Sequence, residues 1–193
     1  GLPSAHIVGA SMGGMIAQLV SLRHRERVRS LCSWMSTNGD PSLPGPTLRA
    51  RRTMLASPPA DPERRIAWMV RRQREVASPP WFDHERAKQH AIASIERAWY
   101  PDGAMRQLHA ILAAPSRADA LRTLDLPTSV LHGTSDPLVP LANGLATAAC
   151  IPGAELFVFD DVGHDIPEPV WPLFLDAIVR TVRRGEDARG RRL

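Results

Sequence analysis

The feature that most constrains the fold is a glycine-rich turn that joins a short apolar run to an amphipathic segment. The run covers residues 5–9, the turn has the sequence GASMG at residues 9–13, and residues 12–22 carry a broad apolar face at helical spacing. A G-x-S-x-G turn between a strand and a helix strains its serine, and its glycines leave out Cβ atoms that would collide. We therefore predict a strand, a sharp turn with Ser11 at its apex and a helix, with Gly14 giving close packing.

Three later apolar runs also have the length and composition of β-strands. They cover residues 28–34, 128–132 and 155–159, and helical segments at residues 141–149 and 168–183 follow the last two. Alternation of strands with helices predicts parallel strands joined by crossover helices, because a tight turn cannot connect a parallel pair. The sequence therefore indicates the α/β class with a parallel sheet.

The middle of the chain departs from this pattern. Residues 40–122 contain no convincing strand but several helix starts, with capping aspartates at Asp61 and Asp83. We interpret this stretch as a helical cap inserted into an α/β core. The core would consist of residues 1–39 and 123–183.

Charge is concentrated at the end of the chain. Of the net charge of +4, residues 183–193 supply +3, because five arginines there outnumber Glu186 and Asp187, and the rest of the chain carries +1. Because residues 1–182 are nearly neutral, they offer no cluster of positive charge that would bind the phosphates of a nucleic acid. We predict that residues 184–193 form a disordered basic tail and that the protein has no nucleic-acid partner.

Membrane and secretory signals are not recognisable in the sequence. No run approaches the ~20 consecutive apolar residues of a membrane span, and no signal peptide is evident.

Cys32 and Cys150 lie in apolar segments without redox or metal-ligand spacing. We therefore expect buried, reduced thiols, a cytoplasmic location and no membrane contact.

Two polar residues follow the third and fourth predicted strands. Asp136 lies just past the third strand and His164 just past the fourth. Because parallel strands end at the same edge of a sheet, we expect both to lie near Ser11. A serine nucleophile needs a base, and the base needs an orienting carboxylate. Asp40, after the second strand, is the alternative carboxylate, although an aspartate before a proline also fits a plain turn.

These motifs resemble those of the α/β-hydrolase fold family. The matching segments are VGASMGG at residues 8–14, MST at residues 35–37 and HGTSDPLVP at residues 132–140. They look like the branch that contains aclacinomycin methylesterase and 3-oxoadipate enol-lactonase, and the order Ser, Asp, His along the chain is that of the family. The resemblance implies an α/β-hydrolase fold with a helical cap inserted into its parallel sheet.

The same resemblance implies a role for each residue. Ser11 would be the acylated nucleophile, His164 the general base and acid, and Asp136 the carboxylate that orients His164. The backbone N–H of Met12 would be one donor of the oxyanion hole. The implied substrate is a small-molecule carboxylic ester or lactone, and no cofactor is implied. Cofactor-free haloperoxidases and carbon–carbon bond hydrolases use the same three residues, so these activities remain alternatives.

Other residues near the predicted site are expected to have non-catalytic roles. We expect Trp34 and Met35, where the second strand reaches this edge, to line the substrate pocket. We expect Asp165, next to His164, to be a solvated loop carboxylate or a turn cap. The other histidines have no ligand spacing, so we predict no metal site.

The family places further strands and a second oxyanion donor before the nucleophile turn. Only four residues precede the first predicted strand here, so we interpret the chain as the C-terminal portion of a longer hydrolase. The strand over residues 5–9 would then be an open apolar edge that could pair with another chain. The alternative is a non-catalytic remnant that serves as an interaction module.

Overall fold

Four parallel strands form one sheet, and they lie side by side in the order of the chain. This computed structural model describes residues 1–190. The strands are β1 (Ala5–Ala10), β2 (Val28–Trp34), β3 (Thr128–Gly133) and β4 (Glu155–Phe159). The four strand predictions are confirmed, because each apolar run between turn residues became one strand.

Eight α-helices occur within the described residues. They are α1 (Met12–Arg23), α2 (Leu48–Leu55), α3 (Pro62–Val76), α4 (His84–Arg97), α5 (Pro101–Ala113), α6 (Ala118–Leu121), α7 (Leu141–Cys150) and α8 (Trp171–Gly190). None of these helices combines the length and the apolar composition that crossing a membrane requires.

The sheet is covered by helices on both faces. On one face α1 packs against β2, and Ala17 and Leu31 share a core cluster. On the other face α8 packs against β2, and Cys32 shares a second cluster with Phe174. Successive residues of a strand point to opposite faces, so a strand covered on both sides must be apolar or small along its whole length. This explains why β2 is apolar or small at every position except Arg29.

The two cysteines are free thiols in the interior. Both Cys32 and Cys150 are buried and form no disulfide. Burial raises the pKa of the Cys32 thiol above its ordinary value, which keeps it protonated and unreactive. The expectation of buried, unpaired thiols is confirmed.

The first strand is an edge of the described sheet. β1 pairs only with β2, and Val8 in its middle is 49% exposed. An exposed apolar edge strand offers unpaired backbone groups to a neighbour. β1 is thus an outer strand among the described residues, and the pairing of another chain along it stays a prediction.

The chain between β2 and β3 folds into the five helices α2 to α6. Side-chain caps begin two of them as expected: Asp61 accepts from the backbone N–H of Glu63 at 2.9 Å, and Asp83 accepts from that of Arg86 at 3.0 Å. Buried Val70 of α3 packs with two alanines of α4 in a small core of their own. The cap is thus a helical layer with its own apolar contacts.

The C-terminal helix continues to Gly190, so the prediction of a disordered tail is wrong for residues 184–190. Glu186 accepts a hydrogen bond from Arg29 of β2 at 2.9 Å. The contact ties the last turns of α8 to the sheet. Glu186, which was expected in a solvated tail, therefore has a partner far away in sequence. The remainder of the predicted tail, residues 191–193, lies outside the described residues.

Candidate active site

The tight turn between β1 and α1 holds Ser11 at its apex. Ser11 has φ 53° and ψ −120°, a conformation that is strained for a residue with a side chain. Its N–H donates to the Trp34 carbonyl at 2.8 Å, and its own carbonyl accepts from the N–H of Gly14 at 2.9 Å. The predicted strand, turn and helix around Ser11 are confirmed.

Close contacts require two of the three glycines in this turn. A Cβ on Gly9 would lie 2.1 Å from the Gly13 carbonyl oxygen, and a Cβ on Gly14 would lie 2.6 Å from the Ser36 Cβ. The steric expectations for Gly9 and Gly14 are therefore confirmed. The expectation for Gly13 is wrong, because a Cβ there would meet nothing within 4 Å. Gly13 already belongs to the first turn of α1, where Cβ atoms project away from the helix axis.

His164 bridges Ser11 and Asp136. Its Nδ1 lies 2.7 Å from Oδ2 of Asp136, and its Nε2 lies 2.9 Å from the Ser11 hydroxyl oxygen. Because an ionised carboxylate can only accept, Nδ1–H donates to Asp136, and Nε2 is left to accept the hydroxyl proton of Ser11. The structure thus brings together the three residues that chain order singled out.

The turn after β3 holds Asp136. This side chain is 5% exposed, and its Oδ1 accepts from the backbone N–H groups of Leu138 at 2.9 Å and Val139 at 2.8 Å. One carboxylate oxygen is therefore fixed to its own turn, and the other faces His164.

The alternative carboxylate, Asp40, serves a different turn. Its Oδ1 accepts from the backbone N–H and the hydroxyl of Ser42, at 2.9 and 2.7 Å. These hydrogen bonds lower the pKa of Asp40 below its ordinary value. The carboxylate that contacts His164 is Asp136, and Asp40 has the turn role that its position before Pro41 allowed.

Helix α1 begins immediately after Ser11 and leaves backbone donors open there. Within residues 1–190, the N–H of Met12, the first residue of α1, donates to no protein acceptor. The first N–H groups of a helix have no intrahelical partner and carry its partial positive charge. Met12 therefore offers a free donor next to the serine.

A segment of the cap is bonded to the loop that carries His164. The backbone N–H of His164 donates to the Val76 carbonyl at 2.6 Å, and that of Gly163 donates to the Ser78 hydroxyl at 2.8 Å. The Ser78 hydroxyl and its backbone N–H both donate to Oδ1 of Asp165, the latter at 2.9 Å. We call this set of contacts the Ser78 link. Asp165 is half-buried and bonds to the cap, so the expectation of a solvated loop carboxylate or a cap of its own turn is wrong. Its partner lies 87 residues away, and no sequence pattern signals it.

A buried histidine lies behind the site. His132 is 0% exposed, and its Nε2–H donates to the Val139 carbonyl at 2.7 Å. The other ring nitrogen, Nδ1, is buried with no hydrogen-bond partner among the described residues. Burial lowers the pKa of His132 below its ordinary value and outweighs the nearby Asp136 carboxylate, so the ring is neutral.

Trp34 and Met35 pack in the core, so the expectation that they line a pocket is wrong. They are 1% and 5% exposed, and both belong to the cluster under α8. The Trp34 ring stacks on Phe159, with centroids 5.9 Å apart. β2 is an inner strand covered on both faces, so a large side chain at its end turns into the interior rather than toward the edge.

Comparison with known proteins identifies one family over most of the chain. The profile of the "Alpha/beta hydrolase family" matches residues 1–177. The chain is 28% identical over 168 residues to the 2-hydroxy-6-oxononadienedioate/2-hydroxy-6-oxononatrienedioate hydrolase of a Pseudomonas species, covering 85% of this chain and 58% of that protein. It is 26% identical over 190 residues to the rhodomycin D methylesterase DauP of Streptomyces sp. strain C5, covering 85% and 62% respectively.

Solved structures show a similar arrangement. The meta-cleavage product hydrolase from Pseudomonas fluorescens IP01 superimposes with a TM-score of 0.76 at 25% sequence identity, covering 94% of this chain and 65% of that one. In each of these three comparisons the chain spans less than two thirds of the relative's length.

Proposed function

Because the chain belongs to the α/β hydrolase family, we propose that it is a serine hydrolase that cleaves a small-molecule carboxylic ester or lactone through an acyl-enzyme on Ser11. The observation that carries the proposal is the row of hydrogen bonds from Ser11 through His164 to Asp136. A base within hydrogen-bond reach of a hydroxyl, itself oriented by a carboxylate, is the arrangement that activates a serine.

The proposed reaction proceeds in two halves. His164 Nε2 takes the proton from Ser11 as its oxygen attacks the carbonyl carbon, and the resulting imidazolium stays paired with Asp136. The same proton passes to the leaving alcohol, and an ester between Ser11 and the acyl group remains. Water then gives a proton to Nε2 as it attacks that ester, and the acid and free Ser11 are released.

Backbone N–H groups at the start of α1 would stabilise the charge that develops on the carbonyl oxygen. Met12 offers such a donor, at the positive end of the helix. Loss of one donor of this kind costs about 3 kcal/mol of transition-state stabilisation, so it contributes substantially to the rate.

The second candidate function is hydrolysis of a carbon–carbon bond. Its support is the likeness to the 2-hydroxy-6-oxononadienedioate hydrolase, whose name gives an oxo dicarboxylate rather than an ester as the substrate. The likeness to a methylesterase supports the ester instead. The same serine, histidine and aspartate would serve either reaction.

A fluorophosphonate probe tests the serine, because it reacts covalently only with an activated hydroxyl. We expect one label on the chain and none on Ser11→Ala. Ser135→Ala is the matched control: its backbone N–H is bonded to Val162 in the loop before His164, and it should label like the parent chain. Labelling that survives in Ser11→Ala, or its absence from the parent chain, contradicts the proposal.

A panel of substrates separates the two candidates. Accumulation of an acyl group on Ser11 during turnover of p-nitrophenyl esters, detected by mass spectrometry of the intact chain, supports the esterase. Turnover of vinylogous oxo acids without any ester turnover favours the carbon–carbon bond hydrolase.

A further inference from the structure

The helical cap contains a cavity that the residues around Ser11 do not line. Its volume is about 700 Å³, within the range of sites for small organic ligands. Helices α2, α3, α4 and α5 surround it, and none of Ser11, Asp136 and His164 contributes to its wall. Trp68 and Trp99 form an aromatic corner of the wall, with ring centroids 6.4 Å apart and planes at 77°.

One guanidinium in the cavity wall has no anionic partner among the described residues. The Arg72 guanidinium lies 4.5 Å from the centroid of the Trp68 ring, and within residues 1–190 it forms no hydrogen bond and no ion pair. Arg72 is half-buried, and burial lowers the pKa of its guanidinium. A partly desolvated guanidinium with five free N–H donors gains more from a bound anion than a fully hydrated one.

No neighbouring carboxylate forms an ion pair with Arg72 within the described residues, and the nearby arginines have partners of their own. Arg65, about two turns earlier on α3, donates to the carbonyl of Ala60 at 3.0 Å, and Arg49 on α2 is paired with Glu75. The one carboxylate in the cavity wall, Asp102, is exposed and is not paired with Arg72 within the described part of the chain. The wall therefore combines a large apolar aromatic surface with one guanidinium that has no anionic partner among the described residues.

We propose that this cavity binds an organic carboxylate with an aromatic body. The carboxylate is held by the planar fork of Arg72, and the ring lies against Trp68 and Trp99. A guanidinium matches the two oxygens of a carboxylate, while the aromatic corner selects against small inorganic anions that have no apolar surface to bury.

The site lies close to the catalytic loop. Arg72 and Val76 are four residues apart on α3, so they share a helix face and are separated by about 6 Å along its axis. Val76 accepts the hydrogen bond from the backbone of His164. The proposed ligand thus binds one helical turn from the Ser78 link.

Cinnamate and its neutral amide, cinnamamide, test the proposal, because they share one shape and differ in charge. Binding is followed by NMR through the indole N–H signals of Trp68 and Trp99. We expect cinnamate to bind about tenfold more tightly than cinnamamide, as one charge-assisted pair with a half-buried guanidinium provides. Equal affinities, no binding of cinnamate, or binding that moves neither indole signal would overturn the proposal.

Variants on α3 assign the preference to one residue. Arg72→Gln should reduce the affinity for cinnamate to that for cinnamamide, and Arg72→Lys should keep a smaller preference because it retains the charge without the fork. Arg71→Gln is the matched control: it removes an exposed arginine beside Arg72, outside the cavity wall, and should leave the preference unchanged. An equal loss in both glutamine variants would attribute the effect to net charge and overturn the site.

The outcome is independent of catalysis. Binding is measured without turnover, so Ser11→Ala should bind cinnamate as the parent chain does. A failure of the cavity proposal leaves the labelling of Ser11 unaffected, and a failure to label Ser11 leaves the cavity proposal standing.

Discussion

Replacement of Ser78 by alanine removes the hydroxyl at the centre of the Ser78 link. That hydroxyl accepts from the N–H of Gly163 at 2.8 Å and donates to the carboxylate of Asp165, and it is 0% exposed. Alanine keeps the backbone N–H that also donates to Asp165. The substitution therefore deletes two hydrogen bonds and leaves one buried N–H without an acceptor.

The expected cost follows from those losses. A buried donor that loses its only acceptor costs about 1–3 kcal/mol, and the lost bond to a charged acceptor adds to it, so we expect Ser78→Ala to lower the free energy of unfolding by about 2–3 kcal/mol. For a chain of this size each kcal/mol is worth roughly 2–4 °C, which corresponds to a fall in Tm of about 4–12 °C.

Urea unfolding followed by circular dichroism measures this change. Ser57→Ala is the matched control, because Ser57 is an exposed cap serine whose hydroxyl forms no hydrogen bond within the described residues; we expect a change within about 0.5 kcal/mol. The rate of fluorophosphonate labelling should fall in Ser78→Ala alone, because the link holds the loop that carries His164. Equal stability of the two variants, with unchanged labelling of both, would refute the reasoning.

Three further predictions concern the core of the site. Gly9→Ala should cost about 3 kcal/mol or more in urea unfolding, because its Cβ would lie 2.1 Å from a backbone oxygen, whereas Gly13→Ala should be tolerated in the same assay. Asp136→Asn should slow ester hydrolysis about a thousandfold or more with little change in fold, since it disturbs the hydrogen bond that orients His164; a change below tenfold in kcat/KM would contradict the proposed role. Because the pKa of His132 is lowered in the folded chain, the unfolded chain binds the proton more readily just below the ordinary value of about 6.5, and stability should fall as the pH drops through that window. His132→Gln should show a smaller fall between about pH 7 and pH 5, and an identical slope in both chains would exclude His132 as the source.

Much of the fold could be predicted because its signals are local. Each strand of the sheet was a short run of mostly apolar or small residues, and Asp61 and Asp83 marked helix starts through side chains that bond only a few residues away. The candidate catalytic residues were also accessible from the sequence, since each follows a strand and parallel strands end at one edge.

Features that depend on distant partners were missed or misjudged. Nothing near Asp165 in sequence indicates Ser78, and nothing near Glu186 indicates Arg29. Trp34 was wrongly expected at the pocket. The direction of a side chain at a strand end depends on which helix covers the strand, and the covering helix α8 follows more than a hundred residues later.

The sequence by itself determined the turn that strains Ser11 and the strands after which the candidate residues follow. It also identified the serine, aspartate and histidine that can form the hydrogen-bonded triad. Those properties depend on backbone sterics and on alternation along a strand, which neighbouring residues set. Only the tertiary structure decided that Asp136 rather than Asp40 contacts His164 and that the cap bonds to the loop carrying His164 through Ser78. It also decided that Arg72 lines a cavity with no anionic partner among the described residues. Hydrogen bonds and desolvation act between groups that folding brings together, so these pairings exist only once distant segments have packed.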